Sequence, residues 1–141
     1  MKYFQLFIIA VFFTFSLASN AFSIPDDNEV SFDVIRKNKV IGNLTTKFIK
    51  DYENIVLHSV LDINIKILFI PAYKFFQETK ETWRNGEFIS IDGFTDFEDD
   101  REYKIDGKDE DGVFRVTGMD GLLELDEKII PLNYWNKNIL E

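Results

Sequence analysis

The chain has 141 residues, 45% hydrophobic and 16% aromatic, with 16 basic and 25 acidic side chains for a net charge of −9. That length suits one globular domain and leaves no room for two. The negative charge disfavours nucleic acid and anionic lipid heads, and the lack of cysteine excludes disulfides, a thiol nucleophile and a lipoprotein's acylated cysteine.

Residues 1–23 differ from the rest. Lys2 gives a basic start, residues 4–17 are apolar except for Gln5, Thr14 and Ser16, and the small residues Ala18, Ser19, Ala21 and Ser23 follow. This is the three-part pattern of a secretory signal peptide, with cleavage expected after Ala21 or Ser23. The apolar run is short for a bilayer span of about 20 residues, so no stable membrane anchor is expected after cleavage. The expected location is the periplasm or the exterior. Lys2 is the only charge in the segment, so the domain expected over 24–141 carries about −10.

That domain reads as strands in chain order. Val30, Phe32 and Val34 alternate with polar residues, and Lys37-Asn38-Lys39 makes a polar turn. Val40, Leu44 and Phe48 share a parity with Gly42 and Thr46. A glycine in mid-strand predicts a bulge or a close backbone approach at Gly42. After a second turn over 50–54, Ile55, Leu57, Leu61, Ile63, Ile65 and Ile67 fall on one parity, interrupted only by Ser59. Val56, His58, Val60, Asp62, Asn64 and Lys66 fall on the other. So sustained a period of two predicts a long, half-buried strand in a strongly bent sheet.

An apolar corner over 68–73 contains Pro71, which breaks a central ladder. Residues 74–84 and 87–95 then flank Asn85-Gly86, the strongest short hairpin signal. An acidic loop is expected over 96–100, another turn at "DGKDEDG" (106–112), a short strand at 122–125, and an Ile129-Ile130-Pro131 step before "LNYWNKNILE". Strands, hairpins and no amphipathic helix predict an antiparallel all-β domain.

A two-residue turn at Asn85-Gly86 sets a register. It pairs Arg84 with Glu87, Trp83 with Phe88, Thr82 with Ile89, Glu81 with Ser90, and Lys80 with Ile91. Phe75, Thr79, Glu81, Trp83, Phe88, Ser90 and Asp92 then share one face, aromatic near the turn and polar further in. Such a face is either solvated or lines a groove with an aromatic rim, because unpaired carboxylates are costly to bury.

No chemical constellation stands out. His58 is the only histidine and its neighbour Ser59 points to the opposite face, so the two form no nucleophile–base pair. One histidine and no cysteine cannot build a histidine-rich zinc site. In "DGKDEDG", placing Gly112 as the loop glycine of a calcium hand puts Gly118 where glutamate is required. No glycine-rich loop precedes a helix, so no nucleotide cofactor is expected. With 25 acids some carboxylate pair always occurs, which makes Glu81 or Asp92 a weak acid–base candidate.

Several landmarks stand in order: "FDV" (32–34), "IG" (41–42), "ETWRNGEF" (81–88), "FTD" (94–96), "VTGMDG" (116–121) and "IPLNYWN" (130–136). In that order they resemble a family of secreted bacterial proteins with no assigned activity, domain of unknown function 6134. The resemblance implies an exported antiparallel domain curved into a half-barrel, broadly like periplasmic lipoprotein carriers. It also implies further strands beyond Tyr134-Trp135-Asn136, so a sheet incomplete at its C-terminal end is expected here. "DFEDD" departs from the plainer turn expected after Thr95, and the family supplies no catalytic residues to transfer.

The function expected from these readings is a non-catalytic binding module in the cell envelope. Its partner would be a hydrophobic small molecule, a lipid or an envelope protein, held against Phe75, Glu81, Trp83, Phe88, Ser90 and Trp135. The alternatives are a carboxylate-dependent hydrolase and an assembly protein that offers a strand edge. No metal, cofactor or catalytic residue is assigned.

Overall fold

The computed structural model describes residues 24–68, 70–99, 101–125 and 129–131. The expected signal segment, 1–23, and Trp135 lie outside the described residues. Eight strands follow one another: β1 (Glu29–Arg36), β2 (Lys39–Asp51), β3 (Asn54–Ile67), β4 (Ile70–Arg84), β5 (Glu87–Phe97), β6 (Glu102–Glu110), β7 (Val113–Gly118) and β8 (Gly121–Leu125). Each pairs antiparallel with the next, so spatial order equals chain order in a single sheet. Among the described residues β1 and β8 do not pair, and the sheet stays open. The expected all-β class is what the chain adopts.

Two-residue turns make most of the corners. Lys37-Asn38, Asn85-Gly86 and Asp111-Gly112 each hold two consecutive left-handed residues, with φ of 50° and 61°, 52° and 85°, and 56° and 81°. That is the type I′ geometry, whose twist matches the strands it joins. The turns are tighter than the sequence suggested. β6 runs on through Asp106 to Glu110, so the loop expected at 106–112 shrinks to Asp111-Gly112. β5 likewise carries Asp96 and Phe97 into the sheet, and β4 begins at Ile70. Pro71 is accommodated there because the β3–β4 register shifts between Ile65 and Lys66, leaving Ala72 unpaired.

Register assigns every strand residue to one of two faces. The polar face carries the pairings Lys47–His58–Lys80–Asp92–Asp106 from β2 to β6. The other face is apolar. At its turn-proximal end Phe48, Leu57, Trp83, Phe88, Phe114 and Val116 form the core, with Ile24, Val30, Ile55, Ile91 and Ile129 packed against it. Side chains of β2, β3, β4, β5 and β7 meet in this one cluster. Phe88 lies between Trp83, with ring centroids 5.1 Å apart, and Phe114, stacked at 4.9 Å. Such aromatic pairs add to simple area burial. Gly107 makes room for them: an added Cβ would lie 2.7 Å from the Phe114 ring.

Two further bulges shape the sheet. Gly42 faces Val34 and Ile41 is the extra residue, since Ile35 pairs with Val40. The expected close approach at Gly42 is present, because an added Cβ would meet the Asp62 carbonyl oxygen and lie 2.9 Å from Ile63 Cα. The second bulge departs from the expected hairpin register. Thr82 pairs with Ser90 while Trp83 pairs with Phe88, so Ile89 is extra. Past it Glu81 pairs with Ile91 and Lys80 with Asp92, one residue off the expected register. The cause is burial. Strict alternation from Phe88 would put Ser90, Asp92 and Asp96 on the apolar face, whereas the bulge puts Ile91, Gly93, Thr95 and Phe97 there.

Candidate functional site

Of the residues expected to hold a ligand, the five that are described do not come together as one site. Trp83 and Phe88 are 3% and 8% exposed and belong to the core. Glu81 lies beside them, 5% exposed, and its Oε2 accepts a 2.9 Å hydrogen bond from the Trp83 indole Nε1. Glu81 is therefore neither solvated nor at a groove rim. Ser90 is moved by the bulge to the polar face, beside Thr82. Phe75 is half-buried at the opposite end of β4, edge-on to Phe97 with centroids 5.1 Å apart. The Arg84–Glu87 backbone pair forms as expected, but the Arg84 Nε donates to Asn54 Oδ1 at 2.9 Å.

The open end of the apolar face holds what sequence reading passed over. Phe32 and Val34 of β1, Leu44 of β2, and Leu61 and Ile63 of β3 line a hollow of about 480 Å³. Phe32, Leu44 and Leu61 stand side by side in register, and so do Val34, Gly42 and Ile63. The signal was present: these residues share the parities already read as the buried sides of their strands. What alternation could not show was which end of that face would be closed by the core and which left open.

A polar margin separates hollow from core. Thr46, Ser59, Thr79 and Gly93 are neighbours across β2 to β5. Thr46 is buried, and its hydroxyl is 2.8 Å from that of Ser59. One register row nearer the open end, Gln77 Nε2 donates to Thr95 Oγ1 at 3.4 Å.

The polar face has more charge and less shape. His58 Nε2 lies 2.5 Å from Glu78 Oε1, both partly exposed. A second hollow, about 650 Å³, opens where β7 leaves β6, between Asp92, Phe94, Lys104 and Thr117. Asp92 is on the face opposite Glu81, so the sheet itself separates the two carboxylates named as acid–base candidates. Hydrogen bonding from Arg101 holds the Asp99 carboxyl below its ordinary pKa, and Glu124 and Glu110 raise that of the Arg115 guanidinium. These groups are solvated, so the shifts mark surface ion pairs, not a reactive centre. Among the described residues no three His, Asp or Glu side chains converge as a metal site.

A family model described as "Domain of unknown function (DUF6134)" matches residues 32–141. The match contains both the hollow and the core. No curated protein and no solved structure matches the chain.

Proposed function

The chain belongs to the DUF6134 family, and from its open face we propose that it is an exported, non-catalytic binding module that holds an apolar ligand in the hollow of β1–β3. The observation that carries this reading is the hollow itself. Among the described residues five aliphatic and aromatic side chains line a space of about 480 Å³, and Phe32 among them stays 46% exposed. Small-molecule sites are concave, largely apolar and of roughly 300–1,000 Å³. Export is supported by the basic, apolar and small-residue sequence of residues 1–23.

The experiment is native mass spectrometry of the protein purified from the cell envelope, beside a Leu61→Lys variant. The expected result is a bound apolar species that the variant lacks. If wild type carries none, and a neutral fluorescent probe such as N-phenyl-1-naphthylamine gains no emission on adding protein, the module reading fails.

One observation favours a second reading, an assembly protein that offers a strand edge. Leu123 and Leu125 of β8 pair with the buried Val116 and Phe114, yet are 55% and 37% exposed. Among the described residues β8 is the edge of the sheet, and an edge of this kind accepts another strand. A monomer at high concentration, unchanged by Leu123→Lys, would count against it.

A further inference from the structure

The open half of the apolar face has a chemical character beyond its shape. Its residues fall into three register rows. Val34, Gly42, Ile63, Phe75 and Phe97 form the outermost. Phe32, Leu44, Leu61, Gln77, Thr95 and Tyr103 form the next, and Val30, Thr46, Ser59, Thr79, Gly93 and Ile105 the last. None of these is charged, in a chain whose net charge is −9. Polarity is confined to hydroxyls and one amide. The aliphatic side chains cluster on β1–β3, and the hydroxyls of Thr46, Ser59 and Thr79, on β2, β3 and β4, stand one register row of that face further toward the core. That step is roughly 7 Å, two residues of strand rise.

The hydroxyls have capacity to spare. The Thr46–Ser59 pair consumes one O–H proton of two, whichever group donates. Among the described residues the half-buried Thr79 hydroxyl has no hydrogen-bond partner. Gln77 uses one N–H toward Thr95 and keeps its amide oxygen. Half-buried polar atoms with unmet capacity are what a ligand's polar group would satisfy.

On the reading that the hollow binds an apolar ligand, we propose that this ligand is a neutral amphiphile. Its hydrocarbon chain lies against Phe32, Leu44 and Leu61, and its uncharged head, a hydroxyl, ester or amide, bonds to Ser59 and Thr79. A carboxylate or phosphate head placed there would find no cation on these rows and would lie in the field of an acidic protein. An ammonium head would find no open carboxylate. Glu81, the nearest acid on this face, is buried and already accepts the Trp83 N–H.

The test compares three probes of equal chain length, 1-decanol, decanoate and decylammonium, as competitors of N-phenyl-1-naphthylamine on the purified full chain below their micelle concentrations. Decanol should compete at least about tenfold better than either ion. Ser59→Ala with Thr79→Val should reduce that advantage to about threefold or less. The variant unpairs the buried Thr46 hydroxyl and should melt lower. The comparison is therefore made where both proteins are folded, and the ratio between probes cancels any change in naphthylamine affinity. Decanoate or decylammonium competing as well as decanol would overturn the proposal and leave the hollow intact. So would an unchanged preference in the double variant. Absence of naphthylamine binding in wild type is the separate failure of the ligand-binding reading itself.

Discussion

Gly42 has to be a glycine because of what stands next to it. Its φ is not left-handed, but the Asp62 carbonyl oxygen and the Ile63 backbone occupy the space a Cβ would take. Backbone cannot swing aside as a flexible side chain can. Gly42→Ala should cost roughly 1–3 kcal/mol, the range for forcing atoms into a packed site, read as a lower urea midpoint at unchanged slope. Ser90 is the opposite case. It looks important in the sequence because it stands near Glu81 and Trp83, yet it lies on the polar face beside Thr82. Ser90→Ala should change stability by about 0.5 kcal/mol or less and leave naphthylamine binding unchanged. The close approach at Gly42 was legible because a glycine inside an alternating strand marks a bulge or a nearby backbone. The place of Ser90 was not, since one bulged residue upstream reverses its face. Glu81 is intermediate. Its alternation with Trp83 put the two on one face correctly, but burial of a carboxyl beside an indole N–H is a tertiary outcome that no local pattern announces.

The β4–β5 hairpin shows the same division for elements. The Asn85-Gly86 turn and the Trp83–Phe88 pair follow from local chemistry and were readable. The register beyond them depends on Ile89, the bulged residue. The pattern of β5 contains it: the residues that can face a core are Phe88, then Ile91, Gly93, Thr95 and Phe97. A spacing of three followed by twos is how a bulge is written in sequence. Deleting Ile89 would remove the extra residue and leave Ser90 opposite Thr82 and Ile91 opposite Glu81, with Ile91, Gly93, Thr95 and Phe97 still on the apolar face. Because no side chain changes face, the deletion should retain a single cooperative transition in circular dichroism. A broad transition would show that the bulge does more than place these side chains. The loops expected at 96–100 and 106–112 turn out shorter for a related reason. Asp and Gly favour turns locally, but Gly107 sits in β6 because Phe114 and Val116 pack over it, and Asp96 pairs with Glu102 inside the sheet.

For the whole molecule, one sheet has one apolar face that is packed at one end and open at the other. Near the Asn85-Gly86 turn, Phe48, Leu57, Trp83, Phe88, Phe114 and Val116 close on one another. Toward the other end of that face, Phe32, Val34, Leu44, Leu61 and Ile63 leave a hollow. The hydroxyl row of Thr46, Ser59 and Thr79 lies between, so substitutions on either side should separate stability from binding. Phe114→Ala removes a stacked ring from the core and should cost roughly 3–5 kcal/mol. At a temperature where the variant remains folded, its affinity for naphthylamine should stay within about threefold of wild type, the size of change expected without a lost contact. Leu61→Lys should do the reverse. A lysine at this half-exposed position can lead its ammonium to water along an aliphatic stem, so the stability change should be about 1 kcal/mol or less. The charge at the floor of the hollow should weaken binding by more than about tenfold. Both quantities come from one pair of measurements, thermal unfolding and fluorescence titration on the same preparations. If Phe114→Ala weakened binding as much as Leu61→Lys, the two ends would behave as one cooperative cavity, and the hollow would be an extension of the core, not a site set apart from it.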